Sequence, residues 1–163
     1  MLALAAPAAQ AQQNWTNKPI RLVVGGPAGG NADSLARLLA DGLHQKLGKP
    51  VIVESKAGAA GALAVNDLAQ NGKDGSTFLV IQAGIVSETP LAYKVHYQPF
   101  KDLKPLAQLS RTGLLLVANK DVPVSDVQQF VAMAQAAPDK YSYGSYVAGT
   151  TSQLAGEMFF PAA

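Results

Sequence analysis

The segment Ile20-Arg21-Leu22-Val23-Val24 opens directly into Gly25-Gly26-Pro27-Ala28-Gly29-Gly30, and this junction constrains the fold more than any other feature of the chain. A short β-branched run that ends in glycine reads as a buried strand. Beyond the glycines, Leu35, Leu38, Leu39, Leu43 and Leu47 recur at helical spacing, with Arg37, Asp41, His44 and Lys46 off that stripe. Gly48 and Pro50 close the helix, because glycine suits the C-terminal cap and proline cannot continue the ladder.

The pattern then repeats. Val51-Ile52-Val53 is a second strand, and the turn Gly58-Ala59-Ala60-Gly61 feeds a helix through Leu63, Leu68 and Ala69. Asp74-Gly75 is a turn, followed by a third strand at Phe78-Leu79-Val80-Ile81. Strand, helix, strand, helix, strand with short connections predicts an α/β fold whose parallel sheet is covered on both faces. Right-handed crossovers bring the loops after the strands to one edge of the sheet, where open α/β sheets hold ligands. Three loops should meet there: 25–30, 55–61 and 82–86.

A glycine-rich turn between strand and helix gathers backbone N–H groups, and the helix N-terminus adds unpaired donors and partial positive charge. A carboxylate or phosphate is favoured at such a place. Asn31, Asp33 and Ser34 are candidate N-caps for this turn. A nucleotide-binding α/β enzyme is the rival reading. Its G-x-G-x-x-G pattern fails because Pro27 takes the second glycine position, and the Lys-Ser/Thr ending of a P-loop is missing. Glu54, at the end of the second strand, stands where a dinucleotide enzyme would hold ribose hydroxyls, and it alone supports the rival.

Other chemistry is thin. His44 and His96 are separated and make no metal cluster, and Ser145 lacks the final glycine of a nucleophile elbow. Asp74, Asp102, Asp121, Asp126 and Asp139 fall at turns or helix starts, where aspartate serves locally. Tyr141, Tyr143 and Tyr146 would line a cleft or, equally, pack within a strand. A net charge of +2 and the lack of a basic cluster interleaved with aromatics argue against nucleic acid. The absence of cysteine removes disulfides, thiolate metal sites and cysteine nucleophiles. No cofactor is expected.

In the second half, residues 106–109 and 114–118 read as strands, 124–136 as an amphipathic helix, and Tyr141-Ser142-Tyr143 as a short strand. A further helix from about Ser152 is expected to end at Pro161. A new βαβ unit begins here and stops early, so the chain reads as a fragment. At the other end, Met1 to Ala11 is uncharged, rich in small residues, and closes on Ala9-Gln10-Ala11, a signal-peptidase-like site. It reads as the remnant of a signal peptide, with an exported, periplasmic mature chain beginning near Gln12.

Together these landmarks resemble the periplasmic substrate-binding proteins of tripartite tricarboxylate transporters, the Bug or TctC family. The matching residues are Trp15-x-x-Lys18-Pro19-Ile20-Arg21-Leu22-Val23-Val24, Pro27 to Asp33, Leu47 to Glu54 and Ala57 to Gly61. They continue with Asp74 to Thr77, Tyr143-Gly144-Ser145 and Gly149 to Glu157. The resemblance implies a two-lobed periplasmic-binding-protein fold of type II, with no catalytic residues. Residues 12–113 would be a near-complete first lobe and 114–163 the start of a truncated second.

By the same resemblance, Pro27, Ala28, Gly29, Gly30 and Asn31, with Ala83 and Gly84 nearby, supply a first-lobe clamp. Ser145, Gly149, Thr150 and Thr151 supply a second-lobe clamp. The ligand would be a small organic carboxylate (a di- or tricarboxylate, an amino acid or an aromatic acid), and the partners the transporter's membrane subunits. A non-functional truncated relic is the remaining alternative. Four positions depart from the family pattern: Gly25 and Gly26 stand for a proline-aromatic pair, Val147 for a glycine and Gln153 for a histidine. Val147 is expected to narrow the second turn, and Gln153 to withdraw a supporting side chain.

Overall fold

A computed structural model describes residues 17–138 and 140–162. The signal-peptide reading of residues 1–11, Trp15 and the Asp139 turn lie outside them.

Three strands form a parallel sheet in the order β2-β1-β3: β1 Ile20–Val24, β2 Val51–Ser55 and β3 Thr77–Val80. Ile20 pairs with Val51, and Leu22 with both Val53 and Phe78. Because β1 is central, its side chains are buried on both faces, which accounts for its nearly unbroken apolar run. Ile20, Leu22 and Val24 point to one face. There they pack with Ala32, Ala36 and Ala40 of helix α1 (Asn31–Leu47), and Val80 of β3 joins them. On the other face Ala62 and Val65 of α2 (Ala62–Asn71) join Ile85, Tyr97, Leu79 and Ile81.

The seam of α1 differs from the leucine stripe read in the sequence. Alanines 32, 36 and 40 face the sheet, Leu39 and Leu43 pack at its margin, and Leu38 and Leu47 are exposed. Small side chains let the helix axis approach the strands closely, and the leucines then flank the contact instead of filling it. Gly48, in the left-handed conformation at φ 62°, caps α1 by donating to the His44 carbonyl, as its position predicts.

On the other face of the sheet a polar network ties three elements together. Arg21 of β1 donates to both carboxylate oxygens of Glu54 at 3.1 and 2.7 Å, and to Asp67 of α2 at 3.4 Å. Lys56 completes the cluster by pairing with Asp67. Beyond β3 come three short helices: α3 Gly84–Ser87, α4 Thr89–Ala92 and α5 Pro99–Asp102. Two longer ones follow, α6 Val127–Ala136 and α7 Thr151–Ala162.

The second half departs from expectation. Residues 106–109, 114–118 and 141–143 form no strand. Strand propensity needs a partner to become a ladder, and among the described residues none pairs with them. Leu114, Leu115, Leu116 and Val117 are consequently exposed. Helix α6 forms within the expected range, with Asp126 as N-cap accepting from the Gln129 amide at 2.8 Å. Helix α7 continues one residue past Pro161, where the sequence suggested a stop.

Candidate functional site

The C-terminal ends of the three parallel strands open on one side of the sheet, and the three loops read from the sequence meet there. Gly25, Gly26 and Pro27 after β1, residues 57–61 after β2, and Gln82 and Ile85 after β3 line a single cavity of about 140 Å³. Tyr146, Val147 and Thr150 line it from the opposite side. Among the described residues, none that lines the cavity carries a charged side chain.

The glycine loop is braced from within. Gly30, not Asn31, Asp33 or Ser34, is the N-cap of α1, and it provides no side-chain cap. Asp33 has a different task, because its carboxylate turns back to accept from the Gly29 amide at 2.9 Å. It also takes Arg37 Nε at 2.9 Å and the Ser55 hydroxyl at 2.9 Å, joining loop, helix and β2. The Arg37 guanidinium, with the Gly29 amide and the Ser55 hydroxyl, holds the Asp33 carboxyl down at about 2, so it is ionised at neutral pH.

Two amides of the expected clamp are therefore engaged: Gly29 donates to Asp33 and Gly30 to the Pro27 carbonyl at 3.1 Å. Helix geometry leaves the N–H groups of Asn31, Ala32 and Asp33 without partners inside α1, so they are the donors the helix end offers an anion. Pro27 lines the cavity, while Ala28 and Gly29 stand exposed on the loop. Ala83 is exposed ahead of α3, and Gly84 is buried against Glu88 and Thr151. Their neighbours Gln82 and Ile85, within the 82–86 loop expected at this edge but not named among the ligand-binding residues, line the cavity instead.

The opposite wall is a turn held by its own hydrogen bonds. The Thr150 hydroxyl donates to the Val147 carbonyl at 2.6 Å, and the Ser152 hydroxyl accepts from the Tyr146 amide at 3.1 Å. Gln153 accepts from the Gly149 amide at 2.6 Å. It thus supports the turn, contrary to the expectation that this position withdraws support. Gly149 takes φ 74°, and a Cβ there would overlap the Tyr93 ring, so glycine is required twice over. Thr150 lines the cavity, Ser145 is exposed, and Thr151 donates to Glu88 at 2.7 Å, linking α7 to the α3–α4 junction. Val147 does line the space.

The nucleotide reading loses its one support. Glu54 is held by both ends of the Arg21 guanidinium and does not line the cavity.

Comparison with known proteins agrees with this arrangement. The chain is 40% identical over 157 residues to the "UPF0065 protein in gbd 5'region" of Cupriavidus necator, covering 96% of this chain and 48% of that one. Among solved structures, "R. palustris Rpa4515 with adipate" matches with a TM-score of 0.84 at 31% identity, over 90% of this chain and 49% of that one. The periplasmic binding protein BugD matches with a TM-score of 0.72 at 30% identity, over the same shares. The chain spans about half the length of the curated relatives it matches, and it has the α/β fold of periplasmic binding proteins. Residues 35–163 match the family described as tripartite tricarboxylate transporter family receptor, and the chain belongs to that TctC family.

Proposed function

We propose that this chain forms the ligand-contacting part of a periplasmic solute-binding receptor. It would capture a small organic carboxylate and deliver it to the membrane subunits of a tripartite tricarboxylate transporter, with no catalysis. The supporting observation is the cavity itself. Three loops at the C-terminal edge of a parallel sheet face a turn from the second half of the chain across a space lined by backbone and neutral side chains.

In this reading residues 12–113 are the first lobe and 114–163 begin the second. A carboxylate would sit on the amides at the start of α1, bounded by Pro27, Ala28, Gly29, Gly30 and Asn31. Ala83 and Gly84 flank it, and Ser145, Gly149, Thr150 and Thr151 approach from the other side. A ligand touching both sides stabilises the closed arrangement by its differential affinity for that state. Rpa4515 is described with adipate, which makes a linear diacid the first probe to try.

The test is thermal melting against a panel of di- and tricarboxylates, amino acids and aromatic acids, with NAD as the rival ligand. A true ligand at about 100 times its Kd stabilises by about 2.7 kcal/mol. Stabilisation by none of the acids would refute the proposal. Stabilisation by NAD, lost in Glu54→Ala, would restore the nucleotide reading.

A further inference from the structure

Among the described residues, three polar side chains line the cavity: Gln82, Tyr146 and Thr150. The Thr150 proton is committed to the Val147 carbonyl at 2.6 Å, and Gln82 is largely exposed to solvent. Tyr146 differs from both. Its hydroxyl reaches across the cavity to the glycine loop, where a Cβ built on Gly26 would stand 3.3 Å away and one on Gly30 3.1 Å away. Among the described residues that hydroxyl makes no hydrogen bond, so a donor and an acceptor hang over the start of α1. The ring, about half exposed, is the one aromatic group among the described residues that line the cavity.

From this placement we infer that Tyr146 determines ligand specificity in the site, an inference resting on the carboxylate-receptor reading. The hydroxyl donates to the carboxylate seated at the glycine loop, supplying a directed neutral donor where no described residue lines the wall with a cationic side chain. The ring closes the cavity and sets the length of ligand it accepts. A space of about 140 Å³ matches the size of an engineered apolar cavity of about 150 Å³ that takes up benzene. The enclosed part of a ligand is therefore short, and a longer chain must pass the ring. The bareness of Gly26 and Gly30 belongs to the same device, because a Cβ at either would crowd the hydroxyl.

The two functions of the side chain separate by substitution. Isothermal titration of the full chain with succinate, adipate and suberate is compared for the unaltered protein, Tyr146→Phe and Tyr146→Ala, with circular dichroism and melting curves recorded for each. Tyr146→Phe keeps the ring and removes the donor, so all three acids weaken by about tenfold or more while their order is unchanged. Tyr146→Ala opens the roof, and the affinity ratio of suberate to succinate rises by about tenfold. The inference is overturned if the unaltered chain binds these acids and both variants keep its affinities within about twofold and its order of preference. The carboxylate reading survives that result. Failure of the unaltered chain to bind any of the three acids overturns the inference, and it overturns the carboxylate reading as well if none of the wider acid panel stabilises the chain.

Discussion

Replacing Arg21 by methionine removes the cation that holds β1, β2 and α2 together while keeping an unbranched apolar stem on the strand. The Arg21 side chain is 25% exposed, Glu54 36% and Asp67 6%, so the cluster lies between a solvated ion pair and a buried one. Exposed pairs contribute well under 1 kcal/mol, while breaking a buried pair costs about 3–5 kcal/mol. Screening at Glu54 argues for the lower part of that interval. Asp67 argues the other way, since it keeps Lys56 and Asn71 as partners but loses one of its two cations. The expected loss is about 2 kcal/mol at pH 7, a fall in Tm of roughly 4–8 °C for a chain of this size.

The pH dependence gives this prediction its sign. Hydrogen bonding to Arg21 lowers the Glu54 pKa against the opposing effect of burial. Burial raises that of Asp67, but Lys56, Asn71 and Arg21 together outweigh it and leave the value lowered. Folded pKa values below the unfolded ones of about 4 mean that this stabilisation is complete above about pH 5 and is lost as pH falls through the folded values. Urea denaturation of both proteins at pH 7 and in steps down to about pH 3 should show a gap that narrows with acid. A gap of the same size at both ends, or one under about 0.5 kcal/mol at pH 7, would refute the assignment of stability to this cluster.

Gly61 takes φ 90°, and a Cβ there would overlap the Ile85 side chain. Gly61→Ala should cost about 1–3 kcal/mol in urea denaturation, and Ile85→Ala should relieve part of that cost in the double variant. Asp126→Ala removes the N-cap of α6 and should cost about 1 kcal/mol, read as lost helical ellipticity or a lower melting temperature.

The first half of the fold was legible because its signals are local. An apolar run buried on both faces, a left-handed glycine after a helix and an aspartate-glycine turn each act over a few residues. The edge where Gly25, Gly58 and Gln82 meet follows from parallel topology alone. The alanine seam of α1 was missed because apolar periodicity gives most weight to leucine, while close helix–sheet packing selects for small residues. The strands expected at 106–109, 114–118 and 141–143 are absent for another reason. A strand is a relation between two segments, and no short-range feature of Leu114-Leu115-Leu116-Val117 states whether a partner lies beside it.

The site divides in the same way. The glycine loop and the turn around Thr150 stand out by composition, and the structure brings both to one cavity. The engagement of the Gly29 amide by Asp33 and the reach of the Tyr146 hydroxyl arise from tertiary approach. The sequence offered one hint, the tyrosines considered as cleft-lining. Gln153 shows the limit of reasoning by family pattern: it departs from the expected histidine, yet its carbonyl oxygen holds the Gly149 amide at 2.6 Å.

Titration of isotope-labelled chain with adipate, followed by amide NMR shifts, tests the central claim most directly, because it reports where a carboxylate binds as well as whether it does. The account predicts saturable shifts concentrated at residues 26–33 and 146–151, on the two walls of the cavity. Shifts confined to other residues, or none at adipate concentrations that saturate binding, would contradict it.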